Sequence, residues 1–261
     1  MRLKSRTVRI ETEGGGIKGI ILSPVNHAKK LPGILWIHGG GYMNGMAAMV
    51  HISEGKALAK RFGAVVLSPE YRLARKAPYP AALYDCFAAL RYMYDNADEL
   101  GIDRNRIVIG GESAGGGLAA ALCIYARDKS DIKVCLQLPL YPMLDCQDTP
   151  SSADNHGLFW DTRRNHWGWS NYLGSLYGRP DVPQYASPSR ETDYRGLPPA
   201  YTFITDGEAF YDETLTYIKN LNDAGIEAHA RLFRWARASA ERQLKRTALR
   251  WFLMSTNSPA T

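Results

Sequence analysis

The residues whose types and spacing can do chemistry begin with a serine between glycines, Gly111-Glu112-Ser113-Ala114-Gly115. A β-branched run, Ile107-Val108-Ile109, enters it, and an alanine-rich stretch from Gly116 to Ala120 leaves it. A strand that turns at once into a helix holds a serine on strained backbone and projects its hydroxyl above the sheet. The helix start then aims unpaired N–H groups at any oxyanion formed by attack on a carbonyl, and the N–H of Ala114 is the natural donor. Upstream, His38-Gly39-Gly40-Gly41 leaves the N–H groups of Gly40 and Gly41 unshielded by side chains, which suits the rest of an oxyanion hole. His38 precedes that loop and reads as a hydrogen-bonder that fixes it. The chemistry these parts share is acyl transfer to a serine.

The elements that must position them alternate in type. A weakly alternating hairpin is expected over residues 7–12 and 17–22, followed by the apolar run Ile34-Leu35-Trp36-Ile37, which reads as a strand buried on both faces. Residues 53–61 read as a helix and Ala64-Val65-Val66-Leu67 as a strand. A helix over 80–96 carries Ala82, Leu83, Cys86, Phe87, Leu90 and Met93 close to a 3.6-residue period. After the serine turn come a strand over 134–140, a polar and aromatic insertion over about 145–195, a strand over 200–204, a helix over 212–224 and a last strand over 227–233. Repeated β-α-β units predict an α/β fold with a mostly parallel sheet and helices on both faces. Ligands of such sheets bind beyond the carboxyl ends of the strands. His38 to Gly41, Ser113 and the loop after Ile204 all fall there.

These motifs resemble the hormone-sensitive-lipase-like family of α/β-hydrolases over nearly the whole chain up to Phe233. His38-Gly39-Gly40-Gly41 is similar to that family's oxyanion motif and Gly111 to Gly116 to its nucleophile motif. Tyr71-Arg72-Leu73, Pro78-Tyr79-Pro80-Ala81, Asp85, Asp103, Arg106-Ile107 and Leu140-Tyr141-Pro142 are similar to its intervening signatures. The resemblance implies a carboxylesterase that hydrolyses small, short-chain esters through an acyl-enzyme on Ser113, without cofactor or metal. It also implies an acid after the strand at 200–204. Glu208-Ala209-Phe210-Tyr211-Asp212-Glu213 gives the best register, with Glu208 in the acid's place and Asp206 as the alternative.

The same resemblance implies a histidine shortly after Phe233, and this chain runs Arg234-Trp235-Ala236-Arg237 instead, with no histidine after His229. His229 sits inside the last strand near its wrong end, His156 and His166 lie in the insertion, and His27 and His51 have no motif around them. Without an imidazole nothing obvious takes the Ser113 proton, and losing a triad member leaves about 10³ to 10⁴-fold catalysis over water. A frameshift accounts for the departure. Codons of the form TGG-GCA-CGN for Trp235-Ala236-Arg237 contain GGG-CAC, Gly-His, one nucleotide later. An esterase impaired in this way and a non-catalytic small-molecule-binding member of the fold both follow; the plant gibberellin receptors, which resemble the same family, lack its histidine and bind a small molecule.

With 261 residues, 45% hydrophobic and 22% charged, the chain is read as a single domain over 1–261, the insertion at about 145–195 serving as a small cap. The chain begins near the first strand, which suggests a short cap and an open acyl pocket. The net charge of +6 resides in residues 231–250, where seven basic residues face the single acid Glu241, so the segment from about 234 reads as a solvated basic helix and nucleic-acid binding is excluded. No apolar run has membrane-span length and no signal-peptide pattern opens the chain, so no membrane partner and a cytoplasmic location are expected. Cys86, Cys123, Cys135 and Cys146 lack metal-type spacing and read as reduced core residues. Tyr42, Trp160 and Trp167 are the candidate pocket residues, a small ester the expected partner, and a homodimer is left open.

Overall fold

A computed structural model describes residues 1–25 and 30–234. β1 (Leu3–Ile10) and β2 (Ile17–Pro24) form the expected antiparallel hairpin. β3 (Leu31–Ile37), α1 (Glu54–Phe62), β4 (Val65–Pro69), α2 (Ala81–Asp95), the short α3 (Ala97–Leu100) and β5 (Ile102–Glu112) follow. Next come α4 (Ala114–Lys129), β6 (Leu136–Leu140), α5 (Pro150–Ala153), α6 (Thr162–Leu173), β7 (Ala200–Thr205), α7 (Tyr211–Asp223) and β8 (Ala228–Phe233). The eight strands form one sheet in the order β1-β2-β4-β3-β5-β6-β7-β8, parallel from β4 to β8. Within the described residues the expected elements are all present, with boundaries displaced by a few residues. β5 is the longest, because its first half pairs at Leu31 and Ile102 before a register shift.

Alternation along the central strands divides the interior into two cores. Ile34, Trp36, Val66, Val108, Leu136 and Leu138 face α1, whereas Leu35, Ile37, Leu67, Ile107 and Ile109 face α2, α4 and the insertion. α4 is buried nearly all round, which its run of glycine and alanine permits by letting β3 and β5 approach closely. Ser53 caps α1 by accepting the Gly55 N–H, and Gly63 ends it in the left-handed conformation.

The loop between β4 and α2 is fastened by Asp85, which is fully buried. It accepts the Arg72 backbone N–H and both Nε and Nη2 of the Arg72 guanidinium, at 2.8–2.9 Å. The insertion spans β6 to β7 and packs α5 and α6 over the carboxyl ends of the strands. All four cysteines are free, and Cys86 and Cys123 are buried in the core. Among the described residues no helix is long and apolar enough to cross a membrane. The expected basic helix, and the proposed frameshift site at Trp235 to Arg237, lie outside the described residues, as does His27.

Candidate active site

Ser113 separates β5 from α4 at φ 56° and ψ −120°, a conformation that L-residues pay strain to adopt. Backbone bonds on both sides hold it there. Its N–H donates to the Leu140 carbonyl at 3.0 Å, and its carbonyl accepts from Gly117 at 3.0 Å and Met143 at 3.1 Å. The turn closes this sharply because of Gly115, where a Cβ would overlap the Ile37 and His38 carbonyls. Ser113 is half-buried, and its hydroxyl makes no hydrogen bond among the described residues.

The His38–Gly41 loop lies beside this turn: a Cβ on Gly39 would approach the Glu112 carbonyl to 2.7 Å and the Ser113 Cβ to 3.3 Å. Gly40 and Gly41 have φ of 124° and 60°. Among the described residues the N–H groups of Gly40, Gly41 and Ala114 donate to nothing. His38 is 2% exposed, with Nδ1 2.8 Å from the Gly39 carbonyl and its ring stacked on Tyr71 at 4.2 Å. Burial lowers its pKa, opposed by that carbonyl. The loop-fixing role expected of it matches this placement. Tyr71 in turn donates its hydroxyl to the His38 carbonyl at 3.0 Å.

Asp206 and Glu208 part company at the end of β7. Asp206 is exposed, and its backbone N–H is tied to the Phe233 carbonyl at 3.0 Å. Glu208 is half-buried and accepts the Thr205 hydroxyl at 2.9 Å, and burial raises its pKa against that hydrogen bond. It lines a cavity of about 210 Å³ whose walls include Tyr141, Trp160, Phe203 and Phe210. The insertion steadies the same loop, since Ser151 donates to the Ala209 carbonyl at 3.0 Å and Asn155 to the Gly207 carbonyl at 3.3 Å. One turn on, Glu213 is buried at 2% exposure. Its carboxyl accepts the Leu144 N–H at 2.6 Å and is pushed well up by burial.

The described histidines do not join Ser113 or Glu208. His156 pairs with Asp154 at 3.1 Å on the surface, His166 with Asp148 at 2.8 Å, and His229 with Glu227 at 3.3 Å. His229 stands opposite Tyr201, at the amino end of β8 and away from the rim. His51 is partly buried.

Of the three candidate pocket residues only Trp160 lines the cavity, and its ring lies against the Cα of Gly41. Tyr42 is a correction. It is 1% exposed, stacks on Tyr172 at 3.9 Å and donates its hydroxyl to Met143, because a φ of 63° turns it down into the core and not up to the rim. Trp167 is 48% exposed beneath the Arg75 guanidinium, on the outer face of α6. The sequence reading missed Tyr141, Phe203 and Phe210. Tyr141 was visible only as a motif residue; Phe203 and Phe210 carried the signal of flanking a strand end and the acid's own loop. Glu213 was visible as a carboxylate on the Tyr217-Leu221 stripe of α7.

A parallel sheet of this order, with a strained turn between β5 and a buried α4, is the α/β-hydrolase fold. A family model described as alpha/beta hydrolase fold matches residues 34–236. Carboxylesterase NlhH of Mycobacterium tuberculosis is 32% identical over 229 residues, covering 84% of this chain and 71% of that protein. An arylesterase of Saccharolobus solfataricus is 29% identical over 228 residues, 85% and 72% of the two chains. Among solved structures a bacterial heroin esterase superposes with a TM-score of 0.92 at 34% identity, covering 98% of this chain and 85% of that one. The chain belongs to the hormone-sensitive-lipase-like carboxylesterase family of α/β-hydrolases.

Proposed function

We propose that this site is that of a serine carboxylesterase acting on small esters. The observation that carries the reading is Ser113 on strained backbone with the N–H groups of Gly40, Gly41 and Ala114, among the described residues, left without acceptors beside it. Ser113 Oγ attacks the ester carbonyl, and the oxyanion takes the hydrogen bonds of those three groups. Glu208, in its half-buried cavity, suits the orienting acid better than the exposed Asp206. No metal or cofactor takes part, and the protein works in the cytoplasm.

What removes the Ser113 proton is the open step, since His38, His156, His166 and His229 are engaged elsewhere. That observation favours a second reading, a fold that binds a small molecule without turning it over. Hydrolysis of a short aryl ester, measured beside Ser113→Ala, separates the two. A saturable rate lost in the alanine variant supports the esterase. Equal background rates, with a ligand that raises the melting temperature unturned, support the binder.

A further inference from the structure

β6 ends at Leu140, and the chain leaves it through Tyr141, whose φ of 35° lies in the left-handed region that costs a side chain strain. Residues 141–145 then cross the start of α4, where a Cβ on Gly117 would overlap the Met143 carbonyl. Away from the strand ladder their N–H and C=O groups need partners in a dry interior, and two successive peptide units find them around the serine turn. Met143 donates its N–H to the Ser113 carbonyl at 3.1 Å. In the next unit the Met143 carbonyl accepts the Tyr42 hydroxyl at 3.0 Å, and the Leu144 N–H donates to the Glu213 carboxyl at 2.6 Å. The Asp145 N–H reaches the same carboxyl. Glu213 is itself anchored: Ser151 donates its N–H to the Asp212 carboxylate at 2.7 Å and accepts the Asp212 N–H at 3.1 Å, which pins the first turn of α7 to the insertion.

We infer that Glu213 is a positioning residue for the oxyanion hole, holding the Met143–Leu144 peptide so that Met143 fixes the peptide plane between Ser113 and Ala114. In a planar trans peptide the C=O and N–H point in opposite directions, so a bond that pins the Ser113 carbonyl also aims the Ala114 N–H. The other end of the Met143–Leu144 unit holds Tyr42, the residue after Gly41, so one carboxyl steadies both sides of the hole. Filling the core does not account for the residue. An apolar side chain of its size would occupy the same space without the cost of burying a carboxyl, and would leave the Leu144 N–H stranded. Burial pushes the carboxyl well above its ordinary range, so it accepts these bonds as a neutral acid, and an amide in its place presents the same acceptor oxygen. The catalytic consequence rests on the serine-esterase reading; the effect on peptide geometry does not.

The experiment compares the full chain with Glu213→Gln and Glu213→Leu, by amide NMR spectra with hydrogen exchange and by hydrolysis of a short aryl ester. Loss of the acceptor in Glu213→Leu should speed exchange at Leu144 and Met143 by about tenfold, the order expected for one net hydrogen bond, and displace the Ala114 amide resonance. Glu213→Gln should restore both. In the ester assay, with the Ser113→Ala rate subtracted, we expect Glu213→Leu to lower kcat about tenfold with KM held within about twofold, because a misaimed donor weakens the transition state and not substrate binding. Glu213→Gln should recover most of that rate. An unmoved Ala114 resonance, an unchanged kcat in a chain that does turn the ester over, or a Glu213→Gln no better than Glu213→Leu overturns the positioning role. If Glu213→Leu fails to fold, Glu213→Asp, whose carboxyl is drawn back by a methylene, takes its place with the same expectations. An unsubstituted chain without any Ser113-dependent rate counts against the esterase reading, and the Ala114 resonance then decides the role of Glu213 by itself.

Discussion

Ser113 carries the chain's clearest residue-scale cost, because φ 56° with ψ −120° disfavours any side chain by about 1–3 kcal/mol. Ser113→Gly and Ser113→Ala both remove the hydroxyl, but only glycine removes the strain. We expect the glycine variant to be the more stable of the two by about 1 kcal/mol in urea unfolding, after the greater freedom of glycine in the unfolded chain is offset. Equal midpoints would count against a strained turn. Glu213 offers a test in pH. Burial holds its carboxyl well above the usual 4.5, so the folded chain keeps this proton more tightly than the unfolded chain does. Its contribution is therefore fully present below about pH 4.5 and is lost as pH rises from there toward the folded-state pKa. Glu213→Gln has no proton to lose and should show a smaller fall in urea midpoint between pH 4.5 and pH 8; an unchanged fall would place the titration elsewhere.

Elements were legible in the sequence where pattern and geometry coincide. The apolar run at Ile34 to Ile37 announced a strand covered on both faces, and the periodic apolar positions of 80–96 announced α2, since each follows from which side must be dry. Ser113, Gly40 and Gly41 were legible for the same reason: their types are dictated by local backbone shape. Tyr42 was not, because adjacency to the glycines says nothing about a left-handed φ that inverts the side chain. Nor was the aromatic cavity, whose walls come from β6, β7, the α7 loop and the insertion and meet only in three dimensions. The Arg72–Asp85 fastening lies between these cases, its residues recognisable and its burial not. Removing the acid strands a guanidinium that is itself partly exposed, and we expect Asp85→Ala to cost about 3 kcal/mol in urea unfolding, near the low end for broken buried pairs. A loss below about 1 kcal/mol would show that solvent replaces the carboxylate.

At the scale of the whole molecule the sheet is graded from one edge inward. β1 is mostly exposed, while β3, β4 and β6 are buried along nearly their whole length. Local opening follows such gradients, so amides of β3 and of Ile107–Gly111 in β5 should exchange with deuterium slowest and those of β1 fastest. Uniform protection across β1 and β3 would contradict the grading. The gradient also places the serine turn at the end of the buried half of β5, where its hydrogen bonds to Leu140, Gly117 and Met143 are backbone to backbone.

That arrangement has a consequence for descent. Gly115 is required for α4 to lie against the Ile37 and His38 carbonyls, whatever the hydroxyl next to it does. A lineage in which ester cleavage ceased would still lose its fold on replacing Gly115, so purifying selection for stability alone preserves this part of the motif. Ser113 makes no such contribution through its hydroxyl and is free to drift once catalysis stops, which makes the serine, and not the glycine beside it, the position whose variation among descendants records whether the chemistry is still in use.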